Sequence, residues 1–332
     1  MFRIIALFSF VTLLSCHQHS PLKQTGSIEK LDPALDSIIE PGALPEIIAE
    51  GFTWSEGPLW LEKEQLLIFS DVPHNRIHQW NEEKGLSIYL EPSGYTDTIK
   101  RGGETGSNGL ALDNEGRLLL TQHGNRQIAR MDAPLSSAAP KFISLANNYN
   151  GKRFNSPNDV ICDVAGNIYF TDPPYGLEKN MDDPLKETPF QGVYKISADG
   201  KLSLLVDSLT RPNGLIILPG GQTLIIANSD PEKPNWYAYE ILPGDSVVAK
   251  GMWQSAAVAD TTLKGLPDGL KVDEKGHVFA SGPGGIWIMD SHAKLLGKIR
   301  LDKAASNVAL SADEKTLYIT NHDRVLRLKM RK

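Results

Sequence analysis

Six segments of this chain open in the same way, and a repeat of that kind limits the fold more tightly than any single motif. They read Glu56-Gly-Pro-Leu-Trp60, Asn108-Gly-Leu-Ala-Leu-Asp113, Asn158-Asp-Val-Ile-Cys-Asp163, Asn213-Gly-Leu-Ile-Ile-Leu218, Asp268-Gly-Leu-Lys-Val-Asp273 and Ser306-Asn-Val-Ala-Leu-Ser311. Successive openings are 52, 50, 55, 55 and 38 residues apart, near the period of one four-stranded propeller blade with variable outer loops. A second apolar run begins ten or eleven residues after each opening, at 66–70, 118–122, 168–172, 224–228, 278–282 and 317–321. Turns such as Asp113-Asn-Glu-Gly116 and Asp273-Glu-Lys-Gly276 lie between the runs, with glycine supplying positive φ. Each unit therefore starts as a β-hairpin, and further β-rich runs follow in most units. The expected fold is all-β, a six-bladed β-propeller.

A hairpin brings the end of its second strand back beside the start of its first. The residues that follow or end the second runs (Asp71, His123, Asp172, Asn228, Asn321) are thus expected on one face with the opening residues. Radial packing would crowd Glu56, Asn108, Asn158, Asn213, Asp268 and Ser306 into one ring. Asn-Gly and Asp-Gly also serve simply as turn formers before strands. Five openings in register whose side chains can ligate a hard cation outweigh that reading.

The last unit is one strand short, because the chain stops after the runs at 306–311, 317–321 and 324–329. Residues 46–50, Glu-Ile-Ile-Ala-Glu, read as a spare strand before the first unit. Pairing it with the last blade would close the ring and remove two exposed edges. Length alone would allow two domains, but the repeat consumes nearly all 332 residues, so residues 44–332 are expected to form one propeller. A net charge of −6, with both signs interspersed and no basic stripe carrying aromatics, excludes nucleic acid as an expected partner. No protein partner is predicted.

Residues 1–15 carry one positive charge, Arg3, ahead of an apolar run too short to span a bilayer, and read as a secretory signal. Leu13-Leu-Ser-Cys16 resembles a bacterial lipobox, which makes Cys16 the expected lipidation site; Leu14 departs from the usual residue there, and ordinary cleavage is the alternative. The chain is then expected to be exported to the periplasmic face or cell surface, touching membrane only through that anchor. Residues 16–43, polar and proline-bearing, read as a flexible tether. With Cys16 acylated, only Cys162 is left, so no internal disulfide can form, and its apolar surroundings mark it as a small core residue.

Several strings carry a family resemblance: Trp54-Ser-Glu-Gly-Pro-Leu-Trp60, Gly106-Ser-Asn-Gly-Leu-Ala-Leu-Asp113, Gln122-His-Gly-Asn-Arg126, Arg153-Phe-Asn-Ser-Pro-Asn-Asp159, Phe170-Thr-Asp-Pro-Pro-Tyr-Gly176, Arg211-Pro-Asn-Gly214 and Leu266-Pro-Asp-Gly269. In that order, from about residue 50 onward, the chain resembles the gluconolactonase and regucalcin (senescence marker protein) family of six-bladed propellers. The resemblance implies a divalent metal at the channel mouth, usually calcium, with Glu56, Asn213 and Asp268 as ligands and Asn158 holding it directly or through water. The repeat register reached the same four positions independently. Two carboxylates and two amide oxygens suit a hard cation and leave room for water or substrate. No Cys or His falls in the ring, which argues against zinc as the native ion, although manganese, magnesium or zinc could replace calcium in an assay.

The resemblance further implies hydrolysis of a sugar lactone, with the cation polarising the carbonyl. Asp268 is the expected general base, with direct carboxylate attack or a purely ligating role as alternatives. Around the ring, Asn108, His123, Arg153 and Tyr175 are the expected substrate contacts: Asn108 for hydroxyls, His123 and Tyr175 from loops at the mouth, and Arg153 for a carboxylate or phosphate. Each of the last three is also explained as a rim or surface residue. Asp159 is expected to cap the Asn158 turn, and Asp172 to lie behind the metal or brace its loop. Two other functions fit the same pattern, a calcium-dependent phosphotriesterase or other esterase and a non-enzymatic calcium- or ligand-binding propeller. An apolar rim would favour the ester, and hydroxyl partners the sugar lactone.

Overall fold

The computed structural model describes residues 21–331. It is a six-bladed β-propeller, and each blade is an antiparallel sheet whose strands follow chain order from the central channel outward. The first blade is built from Ser55–Leu61, Leu66–Asp71, Arg76–Asn81 and Gly85–Leu90. The inner strands of the next five are Ser107–Leu112, Val160–Cys162, Pro212–Ile217, Leu270–Val272 and Asn307–Leu310. Every inner strand starts at or next to one of the repeated openings, so those openings gather at one end of the channel.

Both faces of each blade are buried. In the second strand of the first blade, Leu67 and Phe69 pack toward the sixth blade while Ile68 packs toward the second. Ile168 and Phe170 likewise face the second blade while Tyr169 faces the fourth. A strand alternates its side chains between faces, so a strand buried on both sides reads as an unbroken apolar run. That is why these second strands stand out in the sequence. Among the described residues the core falls into one apolar cluster per blade junction, rather than a single central mass.

Glu46–Glu50 pairs with Arg324–Lys329 and completes the sixth blade, as the strand count required. The segment ahead of it departs from the expected tether. Ser27–Lys30 adds a fifth strand to the fifth blade by pairing with Leu295–Arg300. A 3-10 turn, Pro33–Ser37, follows; Asp32 caps it by accepting the Ala34 N–H at 2.8 Å. Leu35, Ile38 and Ile39 insert into the junction of the fifth and sixth blades. Upstream, Gln24 bridges to Glu46 and the Ile47 N–H donates to the Lys23 carbonyl at 2.8 Å. The chain from residue 21 on is therefore folded against the propeller. The signal sequence, Cys16 and the first residues of the expected tether lie outside the described residues.

Candidate active site

The inner-strand openings are fixed by hydrogen bonds that pass from blade to blade around the channel. Ser70 Oγ donates to the Asn108 carbonyl at 2.9 Å, Thr121 Oγ1 to the Asn158 carbonyl at 2.7 Å, and Ser306 Oγ to the Ser55 carbonyl at 2.6 Å. The Gly269 N–H donates to the Ser306 carbonyl at 2.7 Å, and Ser229 Oγ to the Pro267 carbonyl. Glycines permit this closeness: a Cβ on Gly57 would come within 2.0 Å of the Asn108 carbonyl oxygen. The Asn-Gly and Asp-Gly steps thus serve inter-blade contact as well as local turns.

At the mouth lies a cavity of about 430 Å³, lined by Glu56, Asn108, Asn158, Tyr175, Asn213 and Asp268 among others. Six of the eight residues expected to hold metal or substrate therefore meet in one place. Asn213 Nδ2 donates to Ser229 Oγ at 3.0 Å, leaving the amide oxygen as its unengaged end. Glu56 is buried, and its Oε2 accepts the Gly57 N–H at 2.9 Å. Asp268 Oδ1 is buried without a hydrogen-bond partner. Burial, together with repulsion from Asp159 and Glu104, pushes the Glu56 carboxyl up to about 8 against the pull of the Gly57 N–H and the Asn307 amide. Burial, then the neighbouring Glu56 and Asp159 charges, raises the Asp268 carboxyl well above its usual range. Two mutually repelling buried carboxylates, one with an orphaned oxygen, beside two amides make a donor set that suits a hard divalent cation. Among the described residues no three His, Cys, Asp or Glu side chains form a metal-binding group, so the amides are needed to complete the set.

Three expectations are corrected. His123 does not face the mouth: it is fully buried, its Nδ1 lying 3.3 Å from Glu104 Oε2, and it is Glu104 that lines the cavity. The preceding strand ends at Gln122, the residue equivalent to Asp71, so His123 falls one position past the expected register. Arg153 is held outside by a short hairpin, Asn148–Tyr149 with Lys152–Arg153, where its guanidinium donates to the Asn125 carbonyl at 3.1 Å. Ser306 spends its hydroxyl on the Ser55 and Thr320 oxygens instead of the cavity.

Residues at the strand ends support the loops that carry the site. Asp172 accepts the Asn155 and Ser156 N–H groups at 2.8 Å each and so braces the loop into Asn158. Asp71 holds the Thr53 and Trp54 N–H groups, Asn228 the Arg211 N–H, and Asn321 the Lys303 and Ala304 carbonyls. Asp159 caps its own turn, accepting the Val160 N–H at 2.9 Å.

The sequence reading missed Trp54, Glu104, Asn180, Arg211, Leu266 and Ala304, all of which line the cavity. Four of them obey one rule that was available. Trp54, Arg211, Leu266 and Ala304 stand two positions before Glu56, Asn213, Asp268 and Ser306. One rung above the ring along the chain is the rim.

With this geometry in place, residues 54–323 match the family model described as "SMP-30/Gluconolactonase/LRE-like region". The chain belongs to this family. It is 37% identical to a gluconolactonase of Zymomonas mobilis, over 92% of this chain and 86% of that protein. It is 25% identical to the pentonolactonase XacC of Haloferax volcanii, over 80% of each. Among solved structures, the gluconolactonase XC5397 of Xanthomonas campestris superposes with a TM-score of 0.78 at 29% identity, covering 95% of this chain and all of that one. The family match spans all six repeated openings, and the fold agrees with the propeller read from their register.

Proposed function

We propose that this protein hydrolyses a sugar lactone with the help of a divalent cation, calcium by preference. The observation that carries the reading is the meeting of Glu56, Asn158, Asn213 and Asp268 in one buried-walled cavity. The lactonase names of its relatives support the same substrate class. Glu56, Asn158, Asn213 and Asp268 would hold the cation, which supplies Lewis acidity at the lactone carbonyl oxygen.

Asp268 takes the proton of the attacking water through its unengaged Oδ1 as the new C–O bond forms at the carbonyl carbon. The same carboxyl then returns that proton to the ring oxygen as the bond between carbonyl carbon and ring oxygen breaks. The product is the open hydroxy acid, which ionises in solution, so atoms and charge balance. Glu56 anchors the site and takes no part in the proton transfer. Asn108 and Tyr175 are assigned to substrate hydroxyls, since both line the cavity without belonging to the donor set.

The N-terminal motif adds location. We assign residues 1–15 to an export signal and Cys16 to lipid attachment, which would hold the propeller at the periplasmic face or cell surface. A pH-stat assay on a panel of aldonolactones, with a phosphotriester and an aryl ester alongside, tests the activity. Acid release from the lactones that stops with chelator and returns with calcium is expected. Release from the phosphotriester alone would replace the reading with the esterase one.

A further inference from the structure

The mouth has two unlike sides. Trp54 from the first blade, Leu266 from the fifth and Ala304 from the sixth form an apolar arc. The opposite arc, from the second to the fourth blade, is polar, and Glu104 is its carboxylate. Neither the four assigned cation ligands nor the proton transfer uses this group.

Glu104 is held from behind. His123, fully buried, places Nδ1 3.3 Å from Glu104 Oε2. The imidazole cannot retreat, because Gly176 packs so closely that a Cβ there would fall 2.7 Å from His123 Cβ. Glu104 nevertheless keeps a 34% exposed side chain and a place in the cavity wall. Its charge is felt by both Glu56 and Asp268, which places it facing the ring.

We propose that Glu104, positioned by His123, recognises the hydroxyl edge of the substrate and sets a preference for polyhydroxylated over unsubstituted lactones. The inference rests on the lactone hydrolysis proposed above. A carboxylate only accepts hydrogen bonds, and its two oxygens match two neighbouring hydroxyls. An unsubstituted ring would strip water from Glu104 and return nothing. The apolar arc meets the C–H face of the same ring, so one sugar lactone satisfies both sides.

The test compares a polyhydroxylated δ-lactone with δ-valerolactone on the calcium-loaded protein, for wild type, Glu104→Gln and Glu104→Asp. In Glu104→Gln the ratio of kcat/KM between the two substrates should fall about 10- to 100-fold, chiefly through KM. Glu104→Asp should recover part of it. Calorimetry should show weaker binding of the aldonate product to Glu104→Gln. An equal loss on both lactones, or an unchanged ratio, would overturn the proposal while leaving the lactonase reading intact. A wild type that opens neither lactone would overturn both.

Discussion

At the residue scale the site is a problem in charge. Glu56 and Asp268 are buried together, and each makes the other harder to ionise. Without a cation both carboxyls are therefore held above the range of free carboxylates, and protons compete with metal. Cation binding should release protons at pH 7, and affinity should rise with pH until about 8, where Glu56 is already ionised. Calorimetric calcium titrations in two buffers of different ionisation enthalpy would measure that release; identical heats would contradict it. Replacing Asp268 by Asn should lower kcat by about 10²- to 10⁴-fold with the fold retained, whereas Glu56→Gln should first weaken calcium affinity. Steady-state rates at saturating calcium separate the two. The donor set was legible because its side chains open a repeat. His123 and Arg153 were misplaced because a one-residue offset at a strand end and a two-residue hairpin leave no trace in residue type.

At the element scale, the distance between neighbouring inner strands governs the site. Gly57 has φ +48° and almost touches the Asn108 carbonyl, so an added methyl must push the two blades apart. Gly57→Ala should lower stability by at least about 1 kcal/mol and weaken calcium binding along with it, measured by thermal unfolding and titration. The N-terminal segment makes a second case. Deleting residues 17–43 removes an edge strand and the Leu35, Ile38 and Ile39 side chains, and should lower the melting temperature of a protein that still closes. Extending the deletion through Glu50 strips the closing strand from the sixth blade and should bring aggregation on size-exclusion chromatography. The hairpins and the closing strand were readable from period and strand count. The docking of 21–43 was not, since its few apolar residues are diluted by polar ones and their partners lie more than 240 residues away in the chain.

At the scale of the whole molecule, the two ends of the propeller have different tasks. The mouth is made by the starts of the inner strands and the rim residues two positions earlier. The opposite end carries the hairpin turns and also the first described residues: Pro21 and Leu22 lie beside Glu46, Trp80 and Arg327. Glu46 is the far end of a strand whose other end, Glu50, pairs with Arg324 on the mouth side. Only a handful of residues separate Cys16 from Pro21, and a fully extended chain of that length reaches about 18 Å. An acyl chain on Cys16 would thus hold the molecule upright on its base, with its opening turned away from the bilayer and toward arriving solutes. A fluorophore on Glu82→Cys should then be quenched by lipid-borne quenchers more strongly than one on Lys100→Cys, and the reverse order would mean the molecule stands on its other end.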